Sequence, residues 1–444
     1  IHQISTGTQH MRSSGHVEGG YFSVPPAQVK AYPELLRAAG YYTFTDEKLD
    51  YQFSGVRAGS GPFTIWDKDG TTTWDARSAE QPFFGLINFQ VTHESGIFTP
   101  LGNMPQSGMH LMMQLIRWWK LGSIDSGAVT PASVILEPYY PDTATVREGI
   151  ARHYDNIAHM DQEVGQILNK LEKEGLADST IVIWTTDHGD GLPRAKRELY
   201  DSGIKVPMII RWPEAYRPKG VAPGQIDQRL ISFVDLAPTI LSLAGVTPPK
   251  YLQGSDFSSP ELPQRNYIYA SRDRIDEVPD RQRAVRGARF KYIRSWHPDL
   301  AGGHPLGFRD NIDMVREMTA LHKAGQLNPA QELWFVPPGR ERLFDLKNDP
   351  YELVDLSNTP AFSDPLLRLR TALDSWLESV VDWSDIPETD MVKAFYPAGI
   401  RPQTPPPTAT LTNGRLVAGY EADTTSIGYR VNGGHWSLYS QPLD

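Results

Sequence analysis

The stretch Ile181-Val182-Ile183-Trp184-Thr185-Thr186-Asp187-His188-Gly189 decides how the rest of the chain is read. Four consecutive apolar side chains, three of them β-branched, suit a strand buried on both faces, as in parallel sheets covered by helices. The run stops at two threonines and then presents a carboxylate, an imidazole and a glycine. A carboxylate beside an imidazole is a common pair of metal ligands. Glycine lets the backbone turn sharply behind them. Taken alone, the tripeptide fits a loop aspartate beside a surface histidine equally well.

Working outward, residues 145–173 carry apolar side chains at three- and four-residue steps (Ile150, Tyr154, Ile157, Val164, Ile167, Leu168, Leu171) and predict a helix stopped at Gly175. Downstream, Pro207 to Arg211 reads as a short strand and Asp235 to Leu243 as a helix ended by Gly245. Nearer the start, residues 33–40 form a short helix and Tyr41 to Thr45 a strand, with Lys48 and Asp50 directly after it. Pro82 to Phe89 is a second buried-type strand, with Thr92-His93-Glu94-Ser95 just beyond. Strands alternating with helices predict an α/β domain with a largely parallel central sheet. Three strand ends lead into Lys48, His93 and Asp187-His188. Open α/β sheets bind ligands at the carboxyl ends of their strands, so one crevice is expected to collect these groups.

Further along, Tyr267 to Ala270, Ala284 to Arg286 and Phe290 to Arg294 suggest a smaller sheet, and Leu366 to Leu377 a packed helix. The Pro-rich stretch 397–409 reads as a semi-extended linker. Alternation around Asn432-Gly433 predicts a terminal hairpin. The expected divisions are a main domain over 1–262, a C-terminal subdomain over 263–396, a linker over 397–412 and a hairpin tail over 413–444.

The 444 residues are 40% hydrophobic and 22% charged, a globular composition. Lys and Arg number 43 against 53 Asp and Glu, so the net charge of −10 offers no bulk attraction for nucleic acid. No apolar run approaches about 18 residues, so no membrane span is expected. The absence of cysteine removes disulfides, Cys-ligated zinc, iron–sulfur clusters and thiol nucleophiles from these 444 residues.

Residues 185–213 then acquire a closer meaning. Thr186-Asp187-His188-Gly189, a glycine-rich stretch, Lys196, Tyr200-Asp201-Ser202, Val206-Pro207 and an apolar strand resemble the second signature of the type I sulfatases, in the alkaline phosphatase superfamily. Leu35 to Tyr41, Pro82 to His93, Val234 to Ile240, Leu343 to Leu346 and Asp349-Pro350-Tyr351-Glu352 are similar to other family landmarks in the same order. The resemblance covers about residues 1–380. It implies an alkaline-phosphatase-like fold: a mixed, largely parallel central sheet flanked by helices, with a smaller C-terminal α+β subdomain and a short β-hairpin tail.

The resemblance also implies roles. Asp187 and His188 correspond to ligands of a divalent cation, normally calcium, His188 either directly or through the edge of the site. Lys48 and Lys196 correspond to lysines that contact sulfate oxygens, and His93 to a histidine beside the scissile ester oxygen. Cleaving a sulfate ester builds charge on the equatorial and leaving oxygens, which cations stabilise and an acid, Lys196 or His93, relieves. Each has a plainer reading: Lys48 in a solvated loop, His93 holding a strand end, and Lys196 between Arg194 and Arg197 in a basic loop.

Two departures stand out. The family's Lys-x-His is Lys48-Leu49-Asp50 here, which makes Asp50 a candidate base. The Cys-x-Pro/Ala-x-Arg signature, whose cysteine becomes the formylglycine nucleophile, is absent. Thr6-Gly7, His10 and Arg12 look like residues that follow it, so the nucleophile is expected in an upstream or separate N-terminal segment. His10, Arg12, Arg272, Asp273 and Arg274 are candidate substrate contacts, since Arg forks suit sulfate and Asp suits sugar hydroxyls. For the last three a salt-bridge network fits equally. The expected function is a periplasmic or secreted sulfatase acting on a sulfated carbohydrate. The alternatives are a phosphonate monoester or phosphodiester hydrolase of the same superfamily, or a non-catalytic protein that binds sulfated glycans.

Overall fold

A proline in the first turn and a glycine just past the end bracket the first helix, where each is best tolerated. The computed structural model describes residues 2–8, 20–46, 48–49, 51–53, 64–122, 129–259, 262, 264–419, 426–434 and 436–443. In it, α1 spans Tyr32–Ala38 and β1 spans Tyr42–Thr45. Gly40 between them takes φ +96°, a left-handed value open to glycine. β2, Phe83–Leu86, runs parallel to β1, with Tyr42 opposite Phe83 and Thr45 opposite Leu86.

α2 spans Gly108–Leu121 and α3 spans Ala144–Lys173. Thr143 caps α3 by accepting from the Val146 amide at 3.3 Å, and Gly175 ends it at φ +69°. β3, Val182–Thr185, pairs with β4, Met208–Arg211, and the short α4, Asp201–Ile204, lies between them in sequence. α5 spans Leu236–Leu243. Then β5 (Ile268–Ile275), β6 (Val278–Arg286), β7 (Phe290–Ser295) and β8 (Glu341–Asp345) form an antiparallel sheet in that order. α6 (Asp313–Lys323) and α7 (Pro329–Glu332) fall between β7 and β8, and α8 (Ser363–Ser379) and α9 (Glu388–Phe395) follow. Two hairpins close the chain: β9 (Thr408–Thr412) with β10 (Arg415–Gly419), and β11 (Gly428–Tyr429) with β12 (Ser437–Leu438).

The chain divides into two units that are each discontinuous in sequence. One comprises residues 1–88, 231–264 and 377–444; the other comprises 89–230 and 265–376. The sequence reading drew contiguous pieces instead. The difference arises because β5–β8 pack against the 190–201 segment rather than forming a body of their own. Leu199 and Tyr200 share a buried cluster with Ala284, Ile293 and Phe344.

In the first unit, Asp67 ties α1 to β1: it takes the Arg37 guanidinium at 2.6 Å and the Thr43 amide at 2.9 Å. Leu49, Ile65 and Trp66 are buried together, with Phe84 packed against them. In the second unit, α3 supplies Val146, Ile150 and Ala151 to a core that also holds Ile97, Phe98 and Met314. Each of the larger side chains contributes about 1.5–3 kcal/mol on burial.

The expected parallel sheet is corrected in part. β1 and β2 are parallel, but β3 and β4 are antiparallel and belong to a separate sheet. Burial on both faces is corrected as well: Gly85 and Leu86 are exposed, β3 is half-buried along its length, and Ile209 is 64% exposed.

Candidate active site

Two glycines shape the loop behind β3. The Gly189 amide donates to the Gly203 carbonyl at 2.9 Å. A Cβ on Gly189 would lie 1.8 Å from the Ser202 carbonyl oxygen, and one on Gly203 would lie 2.3 Å from that of Glu198. Only glycine lets the Asp187-His188 turn rest directly on α4. Other bonds hold the loop's shape: the Lys196 amide donates to the Asp190 carbonyl at 2.9 Å and the Ser202 hydroxyl to the Arg194 carbonyl at 2.6 Å. His153 on α3 meets the Asp190 carboxylate at 3.0 Å and pins the loop to the long helix.

The loop carries strain. Arg194 and Arg197 have φ of +61° and +75°, unfavourable for residues with a Cβ and stable only where the surroundings hold them. Both side chains are held. Arg194, 2% exposed, lies between the rings of Tyr139 and Tyr200 at 4.4 and 4.0 Å and donates to the carbonyls of Tyr351 and Glu352. Arg197 binds Glu94 at 2.6 Å and Asp276 at 2.7 Å. The solvated basic loop that this stretch suggests is therefore absent.

Lys196 projects between these anchors, with its ammonium 3.5 Å from Glu94. Burial acts to raise the Glu94 carboxyl, but the Arg197 guanidinium and Lys196 ammonium outweigh it and hold the pKa at about 2. Burial acts to lower the Arg197 pKa, yet Glu94 and Asp276 raise it above the usual value. One buried carboxylate thus fixes two adjacent cations. Gly191 lets the segment close on it, since a Cβ there would meet the Glu94 Cα at 2.9 Å.

The two histidines have defined tautomers. His93 Nδ1 accepts from the Ser95 amide at 3.3 Å, with the Ser95 hydroxyl at 2.9 Å, which leaves the ring proton on Nε2. His188 Nδ1 donates to the Gly189 carbonyl at 2.6 Å, which leaves a lone pair on Nε2. That nitrogen lies 3.6 Å from the Asp187 carboxylate, whose side chain is 74% exposed. Burial and the nearby Lys196 ammonium lower the His188 pKa against the pull of Asp187, so the ring is neutral near pH 7.

Asp187 and His188 therefore fit the edge of a divalent-cation site: a hard carboxylate oxygen and a correctly oriented nitrogen, the latter set by its own backbone bond. They are two donors of a larger set. Among the described residues no group of three or more His, Asp or Glu side chains converges.

The second unit thus brings together His93, Asp187, His188 and Lys196. Lys48 belongs to the first unit, where its neighbour Leu49 is buried in the Ile65 and Trp66 cluster. His10, Arg12 and Asp50 lie outside the described residues. The expected sugar contacts by Arg272 and Asp273 are corrected. Arg272 is buried between Glu198 at 2.5 Å and Asp280 at 2.7 Å, and Asp273 meets Arg283 at 2.9 Å with both side chains fully buried. Their charges are compensated inside the fold, as in the salt-bridge alternative. Arg274 is also buried, at the bulge of β5.

Glu94, Arg197 and the His153–Asp190 contact had no assigned role in the sequence. One signal was available: adjacent cations in a glycine-rich loop need a buried counter-charge, and Glu94 stands beside a candidate catalytic histidine.

Comparison with known proteins gives the family. The sulfatase family model matches residues 1–246, and the model of the N-sulphoglucosamine sulphohydrolase C-terminal region matches 194–299. An ulvan-active sulfatase of Formosa agariphila is 37% identical over 471 residues, covering 100% of this chain and 77% of that protein. Human N-sulphoglucosamine sulphohydrolase is 26% identical over 323 residues, covering 67% of this chain and 61% of that protein. A solved 2-O GAG sulfatase superposes with a TM-score of 0.54 at 17% identity, over 87% of this chain and 81% of that one. The chain belongs to the sulfatase family, sulfuric ester hydrolases with the alkaline-phosphatase-like fold.

Proposed function

We propose that the protein hydrolyses sulfate esters on a sulfated carbohydrate. The observation that carries this reading is the Glu94–Lys196–Arg197 clasp beside His93 and Asp187-His188, in a chain similar along its whole length to an ulvan-active sulfatase. A second ulvan-active sulfatase, an endo-4-O-sulfatase and the human enzyme are among its relatives and support the same substrate class.

Each residue has a part. Lys196, held by Glu94, neutralises charge growing on a sulfate oxygen. His93, a neutral ring with its proton on Nε2, donates a hydrogen bond that stabilises charge growing on the leaving alcohol oxygen. Asp187 and His188 would supply two ligands of a calcium ion, which when bound would polarise the sulfate. A formylglycine outside these 444 residues supplies the nucleophile, and the protein works in the periplasm or outside the cell.

Peptide mass analysis of the protein isolated from its natural source tests the nucleophile. A segment carrying cysteine, or its formylglycine form, joined to or bound to these 444 residues is expected. A preparation without such a segment that still releases sulfate would overturn this assignment of the nucleophile.

A further inference from the structure

A pocket of about 470 Å³ opens in the second unit, at the end of α4, the β6–β7 turn and the segment after β8. Four cationic side chains line it, Lys205, Arg286, Arg289 and Lys347, against a single carboxylate, Asp201. That carboxylate is already shared: Asp201 takes the Lys291 ammonium at 2.5 Å and the Arg286 guanidinium at 3.1 Å. Lys291 also meets Glu352 at 2.9 Å. Arg289 faces Asp345 through Nε at 2.9 Å and Nη2 at 2.6 Å.

Five cations (Lys205, Arg286, Arg289, Lys291, Lys347) therefore meet three carboxylates (Asp201, Asp345, Glu352), and two positive charges are left over. They belong to Lys205 and Lys347. Both are exposed, and neither ammonium has a carboxylate partner among the described residues. Cations gathered at one pocket repel unless an anion joins them. Lysine and arginine donors suit tetrahedral or carboxylate oxyanions. The volume falls within the range of small-molecule sites and exceeds the needs of one inorganic ion. Leu346 and Pro350 give part of the wall an apolar surface, suited to a sugar ring.

The pocket is joined to the candidate active site through α4. Asp201 starts the helix and Lys205 follows its end, and both line the pocket. Ser202 and Gly203, between them, touch Gly189 of the Asp187-His188 turn.

We propose that this pocket is an accessory subsite, binding a sulfate or carboxylate group on a sugar residue other than the one being cleaved. The identity of the chain bearing that group rests on the sulfated-carbohydrate reading. The oxyanion site itself rests on charge and shape.

Calorimetric titration of the complete protein tests it, with a sulfated ulvan tetrasaccharide, its chemically desulfated counterpart and inorganic sulfate as probes. The variants are Lys205→Ala/Lys347→Ala and, as a control for net charge, the exposed pair Lys219→Ala/Lys323→Ala. Thermal melts check that each remains folded. The expected result is a loss of at least about tenfold in affinity for the sulfated tetrasaccharide in the first variant only. Equal affinity in wild type and both variants, or equal loss in both variants, overturns the subsite. If no tetrasaccharide binds but inorganic sulfate binds in a Lys205- and Lys347-dependent way, the oxyanion site stands and the carbohydrate reading falls. If neither probe binds the wild type, both fall.

Discussion

Glu94 is a carboxylate with 1% of its side chain exposed, and it stays ionised because two cations face it. Replacing it with Gln removes the charge and leaves Lys196 and Arg197 adjacent without their shared counter-ion. Breaking a buried pair in this way costs about 3–5 kcal/mol, which urea denaturation of the Glu94→Gln variant measures. The pH dependence has a definite sign. The folded pKa, about 2, lies below the ordinary 4.5, so the stabilisation is complete above 4.5 and is lost as pH falls from there toward 2. The stability gap between wild type and Glu94→Gln should be flat above about pH 5 and close on acidification. A gap that stays constant down to pH 2.5 would place the stabilising charge elsewhere.

At the scale of elements, the contact between the 187–189 turn and α4 decides where Asp187 and His188 stand. Gly189→Ala puts a methyl group 1.8 Å from the Ser202 carbonyl oxygen, so either the turn or α4 must move. Overpacking of this kind costs about 1–3 kcal/mol, and sulfate release should fall with it. Gly165→Ala on α3, where a Cβ meets nothing within 4 Å, is the control: it should leave sulfate release unchanged and raise stability by about 0.5–1 kcal/mol through helix propensity. Most elements could be read from the sequence. The α3 pattern over 145–173 and its stop at Gly175 lie in local spacing and one left-handed glycine, and both are found in the structure. α2 and α6 were not read: Gly108–Leu121 is apolar on most sides, and Asp313–Lys323 was assigned no element. The orientation of β4 against β3 depends on pairing, which apolar runs do not encode.

At the scale of the whole molecule, chemistry was more legible than spatial grouping. Motif order pointed to Asp187, His188, His93 and Lys196, and these gather in one unit. It left open whether Arg272 and Asp273 contact substrate or form salt bridges; they turn inward to meet Glu198 and Arg283, and burial is a property of the folded chain. The proposed cation site yields a global prediction. Calcium at a hundred times its dissociation constant should stabilise the complete protein by about 2.7 kcal/mol. Melting curves with calcium and with a chelator should differ for wild type and coincide for Asp187→Ala. An equal calcium shift in both proteins would remove Asp187 from the ligand set.

In the proposed reaction a buried carboxylate, Glu94, holds Lys196 where the sulfate ester is cleaved. The most direct test is release of inorganic sulfate from sulfated oligosaccharides by the complete protein, compared with Lys196→Ala. Loss of one such charge-stabilising donor costs about 10²–10³ in kcat, so a fall of that size is predicted, with the melting temperature little changed. Wild-type rates in Lys196→Ala, or binding of the oligosaccharide by the complete protein without any sulfate release, would contradict it.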